Sequence, residues 1–172
     1  MELMEIFDKW DARDFFSRNW MAHDAMWYGV CIQELGPRKA NHLNKTAARL
    51  MAGVEIQRVA RVMGRQPNTP VAEFTELAEI IGTTFNLVKA DFMRFDFSFP
   101  EKNLLHGRFN VYFAHAGVSK YGLIDSYECG IVERVKGWLE GLCVSYVMEP
   151  DFEGCLMHQE GKCEITFHFE LA

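Results

Sequence analysis

Apolar residues recur at helical spacing through the first half of this chain and at alternate positions through much of the second. From Asp11 to Leu35, Phe16, Trp20, Trp27 and Cys31 share a face, with Phe15 and Tyr28 beside them, and that period predicts a helix. Gly36-Pro37 ends this helix and starts the next. Pro37 to Met63 carries a drifting apolar stripe of Ala40, Leu43, Ala47, Leu50, Val54 and Val62, closed by Gly64 and the loop "RQPNTP". Val71 to Phe85 predicts a third helix with Phe74, Leu77, Ala78 and Ile81 on its apolar side.

The period changes near residue 88. In "KADFMRFDFSF" Met93, Phe95, Phe97 and Phe99 alternate with Arg94, Asp96 and Ser98, a strand pattern. "PEKN" predicts a turn, and "LLHGRFNVYFAH" a hairpin partner. Asp125 with Glu128 three residues on resembles an acidic capping box. The helix it opens would bury Ile131, Val132, Val135, Trp138, Leu139 and Leu142. "CVSYVMEP" reads as a strand stopped by Pro150. In "CEITFHFEL" Cys163, Ile165, Phe167, Phe169 and Leu171 alternate cleanly with Glu164, Thr166, His168 and Glu170. "QEGK" before it predicts a hairpin turn with Gly161 at a positive φ. The expectation is one α+β domain over 1–172, helical over about 1–87, with a mainly antiparallel sheet and one late helix over about 88–172.

Composition narrows the function classes. A chain of 172 residues, 49% of them hydrophobic, can bury a core without disulfides. Fourteen Phe suggest an aromatic core or pocket. The net charge of −6, without a basic stripe, argues against nucleic acid as a partner. No run approaches the ~20 apolar residues that span a bilayer, so no membrane partner is expected. Glu2, Glu5, Asp8 and Lys9 interrupt any export signal, and an odd count of five Cys points to the cytoplasm.

Three cysteines fall at informative places. Cys129 lies in the first turn of the late helix, and Cys155 and Cys163 lie on the two arms of the last hairpin. If the helix start packs over that hairpin, three sulfurs converge. They could then serve as soft zinc ligands, or simply as small buried core residues. The stretch from Cys129 to the C-terminus, with its helix opening at a Cys, "GWLEGL", and two cysteines with seven residues between them before an aromatic strand, resembles the C-terminal half of 4-vinyl reductase domains. These are small-molecule-binding domains that include the sensor regions of phenol-responsive activators. The resemblance implies zinc held by Cys129, Cys155 and Cys163, together with an acidic residue three before the middle cysteine. That position holds Phe152, leaving Glu153, Asp151 or His158 as the fourth ligand.

A second resemblance runs through "WMAHDAMWYGVCIQELG" and the cysteine-rich ending. It is to an uncharacterised bacterial family related to the aminothiazoline-carboxylate hydrolases, and it implies a hydrolase of a small heterocyclic carboxylate. His23-Asp24 would be its weak catalytic candidate, although adjacent helical residues point about 100° apart. His106 and His115 lie on or beside a strand, and His106 shares a face with Arg108 and Tyr112 that would suit an anion or plain solvent. Gly-rich phosphate loops and serine nucleophile elbows are absent from the sequence. The leading expectation is therefore a small-molecule binder. Its apolar pocket would draw on Trp20, His23, Trp27, Phe95, Phe97 and His106, with a structural zinc cluster. A hydrolase is the alternative, and a structural homodimer without ligand is a third.

Overall fold

The computed structural model describes residues 8–111 and 113–172. The helices are α1 (Lys9–Leu35), α2 (Pro37–Val62), α3 (Phe74–Val88), α4 (Phe113–Lys120), α5 (Gly130–Gly141) and α6 (Leu156–Glu160), with a 3-10 turn at Ile124–Ser126. The strands are β1 (Arg94–Ser98), β2 (Leu104–Val111), β3 (Val147–Glu149) and β4 (Cys163–His168). All strand pairs are antiparallel, in the order β1-β2-β4-β3, so the fold is α+β as the sequence pattern predicts. Among the described residues no helix is long and apolar enough to cross a membrane.

Alternation decides which sheet face is covered. Leu105 pairs with Phe167, Gly107 with Ile165 and Phe109 with Cys163, and these positions turn inward together with Phe95 and Phe97. His106 with Thr166, and Arg108 with Glu164, occupy the other face. Helices α3 and α5 cover the inner face. There Phe85 stacks on Phe97 at 4.5 Å between centroids and meets Trp138 edge-on at 5.0 Å.

The deepest helix contact is α2 on α5. A Cβ on Gly137 would overlap the carbonyl oxygen of Arg49, and one on Gly141 would collide with the Ile56 side chain. The two backbones can lie this close only because α5 presents glycine and α2 presents Ala52, Ile56, Val59 and Ala60. This overturns the expected stripe on α2. Of its members Ala40 is buried, whereas Leu43, Leu50, Val54 and Val62 face outward. The buried face is instead set by where α5 brings its glycines, against Arg49, Ala52, Gly53 and Ile56. On α1 the helical period is right, but Phe16, Trp20 and Trp27 are exposed, and Tyr28 and Cys31 are buried.

Three late features also differ from expectation. The second hairpin strand does not run on to His115, which belongs to α4; Tyr112 lies outside the described residues. Asp125 sits in the 3-10 turn, and α5 starts at Gly130 with Cys129 as its N-cap. The expected final hairpin is instead β3, α6, β4, with Cys155 capping α6. Gly161 takes the positive φ expected of it, at 71°, but as the left-handed C-cap of α6.

Replacing Gly137 by Ala should force α2 and α5 apart. The expected loss is ~1–3 kcal/mol, typical of an overpacked core, read as a lower urea midpoint with an unchanged slope.

Candidate functional site

The three cysteines come together from three segments. Cys129 caps α5, Cys155 caps α6 and Cys163 opens β4. The Cys129 backbone N–H donates to the Gly154 carbonyl at 3.0 Å, which draws the start of α5 to the residue before Cys155. All three are buried and none forms a disulfide. Burial pushes the Cys163 thiol up to about 12, and the nearby Cys129 and Cys155 add to the shift. That mutual influence places the three sulfurs in one electrostatic neighbourhood.

Asn41 fixes this neighbourhood from α2. It is almost fully buried, and its side-chain oxygen accepts from the Tyr28 hydroxyl at 2.6 Å and from the Glu128 N–H at 3.1 Å. Its amide donates to the Ser126 carbonyl at 2.6 Å. One side chain thus joins α1, α2 and the segment leading to Cys129, with a Lys45–Glu128 ion pair alongside.

As a donor set the cluster is soft and buried. The surroundings are less complete. Phe152 is half-buried against the core, and Asp151 and Glu153 are exposed. His158 is tied to Asp125 at 3.0 Å, with its ring 6.3 Å from that of His115. Among the described residues no group of three or more His, Cys, Asp or Glu side chains stands ready to hold a metal ion. The sulfurs converge without forming a ligating shell.

The apolar candidates divide between separate places. Phe95 and Phe97 line a crevice between the sheet and α3/α5, with Phe85, Phe109, Ile131 and Val135. The crevice has a free volume of about 20 Å³, roughly the space of one water. His106 lies across the sheet, beside Thr166 at 3.3 Å. Trp20, His23 and Trp27 are exposed on α1. The six residues do not share one cavity, because strand alternation sends His106 to the far face and α1 turns its aromatics outward.

Beneath α1 lies a polar assembly that the sequence reading missed. Arg134 makes two bonds to Glu55, at 2.6 and 2.9 Å, and the Trp138 indole N–H donates to Glu55 at 2.8 Å. The guanidinium lies 5.7 Å from the Trp20 ring and 5.4 Å from that of Trp138. Asp24, exposed at its edge, has its carboxyl held above the ordinary range by the surrounding protein, against the pull of His23 and Arg134. Arg134 and Trp138 are one helical turn apart and could have been paired from sequence; Glu55 lies on another helix and could not. A wider open groove of about 510 Å³ runs between Trp10 and Arg13 of α1 and the α3–β1 connection at Lys89 and Asp91.

Tyr28→Phe should test the Asn41 junction. Losing a bond to a buried amide should cost ~1–3 kcal/mol at neutral pH. Burial raises the Tyr28 hydroxyl from 10.0 to about 12. The folded state therefore keeps a proton that the unfolded chain has already released, and stability falls as pH rises across that window. Urea midpoints in the variant should decline less steeply there than in the parent. No protein-family model matches this chain, and no curated protein does.

Proposed function

We propose that this chain is a small-molecule-binding domain of the 4-vinyl reductase type. A planar apolar compound would lie between the sheet and α3/α5, and zinc on Cys129, Cys155 and Cys163 would clamp the start of α5 to α6 and β4. The observation that carries this reading is the convergence of three buried, reduced thiols from separate segments beside a phenylalanine-walled crevice. Zinc would stabilise the thiolates that burial alone disfavours, and its role would be structural. The crevice is small, so a ligand must displace side chains of its walls to enter. The cytoplasm, where thiols stay reduced, is the compartment this reading takes.

The second reading is a hydrolase of a small heterocyclic carboxylate, and Asp24 is the observation that favours it. Burial holds the Asp24 carboxyl above its ordinary range, the direction a general acid needs, and Arg134, paired with Glu55, lies close enough to draw it the other way. His23 adjoins it in sequence on α1.

Elemental analysis of reduced, folded protein should find about one zinc per chain, bound as a closed structural site; near-zero metal sinks the zinc clamp. Chelation or Cys155→Ser should then lower the melting temperature without altering any turnover. For the ligand, phenols should raise the melting temperature, by the equivalent of ~2.7 kcal/mol at a hundredfold excess over Kd. Ile131→Phe, which fills the crevice, should abolish that rise. A response to thiazoline carboxylates that vanishes in Asp24→Asn favours the hydrolase. Stabilisation by neither class overturns both readings.

A further inference from the structure

Helix α1 is long, yet its buried residues are only Tyr28 and Cys31. Outward it carries Phe16, Trp20, His23, Trp27 and Val30, separated by alternating steps of four and three residues. That is the spacing of a seam meant for another helix. Phe16 is 70% exposed and Trp27 61%. Helix α2 repeats the pattern with Leu43, Ala47, Leu50 and Val54, again exposed, on the side turned away from α5; Leu50 is 69% exposed. The two seams lie on consecutive helices that pack against each other, so together they offer apolar surface to one partner.

The area of that face indicates what covers it. Aromatic side chains offer ~150–250 Å² each. On that scale the exposed parts of the seam residues come to roughly 700 Å², above the ~300–600 Å² of the largest patch on an ordinary monomer. It is close to the ~800 Å² that each partner gives to a standard interface. Charge then selects the arrangement. The exposed charges of α2 are all basic (Arg38, Lys39, Arg58 and Arg61), whereas α1 exposes Asp11, Asp24 and Glu34 with Lys9 and Arg18. Two α2 helices face to face would repel, and α1 against α2 would not.

We infer that a second copy of this chain covers the face, with α1 of each copy seated on α2 of the other about a two-fold axis. The contact is isologous and closed, and the four helices form a bundle-like layer. His23 is the polar member of the α1 seam, the kind of position that fixes register in helix pairs.

Sedimentation velocity of the full chain, from low to high micromolar concentration, reads the outcome. The parent should be a dimer. Trp27→Glu and Leu50→Glu should each weaken association by at least ~10-fold, as loss of a central anchor does. Val62→Glu, on α2 but off the seam, should remain dimeric. All three sites are exposed, so circular dichroism should show unchanged helix content. Mixing Trp27→Glu with Leu50→Glu leaves one α1–α2 contact intact and should restore association in part. A parent that is monomeric throughout, or a dimer indifferent to both seam substitutions, overturns the inference. Failure of the mixture to reassociate overturns the α1-on-α2 pairing. A monomer that instead co-sediments with phosphatidylcholine–phosphatidylglycerol vesicles assigns the face to a membrane surface and overturns it as well.

Discussion

The close approach of α5 to α2 is the constraint on which most of this structure depends. Gly137 and Gly141 let the α5 backbone settle against Arg49, Ala52 and Ile56, and the position of α5 then follows within a narrow range. At its N-terminus that position brings Cys129 beside Gly154 and close to Cys155 and Cys163. At its C-terminal half it sets Trp138 edge-on to Phe85, closing the aromatic layer over the sheet. Two kinds of polar tie hold the same contact: the Asn41 junction near the start of α5, and the ion pairs of Arg49 with Glu133 and Glu140 and of Arg134 with Glu55 further along. The Arg49 guanidinium holds the Glu140 carboxyl below the ordinary carboxylate range.

Close packing of small residues has a consequence for the large ones. Because α2 gives α5 its alanines, the leucines and valines of its periodic stripe turn the other way. The same holds for α1, which meets the body through long polar side chains such as Arg13, bonded to Asp91, and through Trp20 over Arg134, with few buried contacts of its own. The hydrophobic surface that these two helices expose is therefore not a failure of amphipathic design. It is the complement of an α2–α5 contact built around glycine and alanine, and it is where burial still has most to contribute.

Much of the fold was legible in the sequence. Helix limits on α1 and α2 follow from Gly36-Pro37 and Gly64, and the inward set of β4 follows from alternation alone. Periodicity located the stripes but not which of two faces was buried, because hydrophobic size is a poor guide where helices meet on glycine. The cysteine cluster was found for a partly wrong reason. A hairpin was expected between Cys155 and Cys163, and α6 stands there, yet a five-residue helix returns the chain to β4 much as a tight turn would. Asn41 and Glu55 left no signal, since, Tyr28 apart, the partners that give them their roles lie roughly eighty or more residues away. Helix α4 was lost because its first residues continue an apolar strand pattern.

The electrostatics of the cluster tie these threads together. A thiol whose titration is pushed to about 12 by burial and by two neighbouring thiols is locked in its proton-bound form at neutral pH. Cys129 and Cys155 are buried beside it. On the proposed zinc reading, a soft cation would take the place of the protons, and its affinity for the site would become part of the stability of the α5–α6–β4 junction. The apolar crevice borders that junction through Ile131 and Val132, the second and third residues of α5. Whatever fixes the start of α5 therefore also fixes one wall of the crevice.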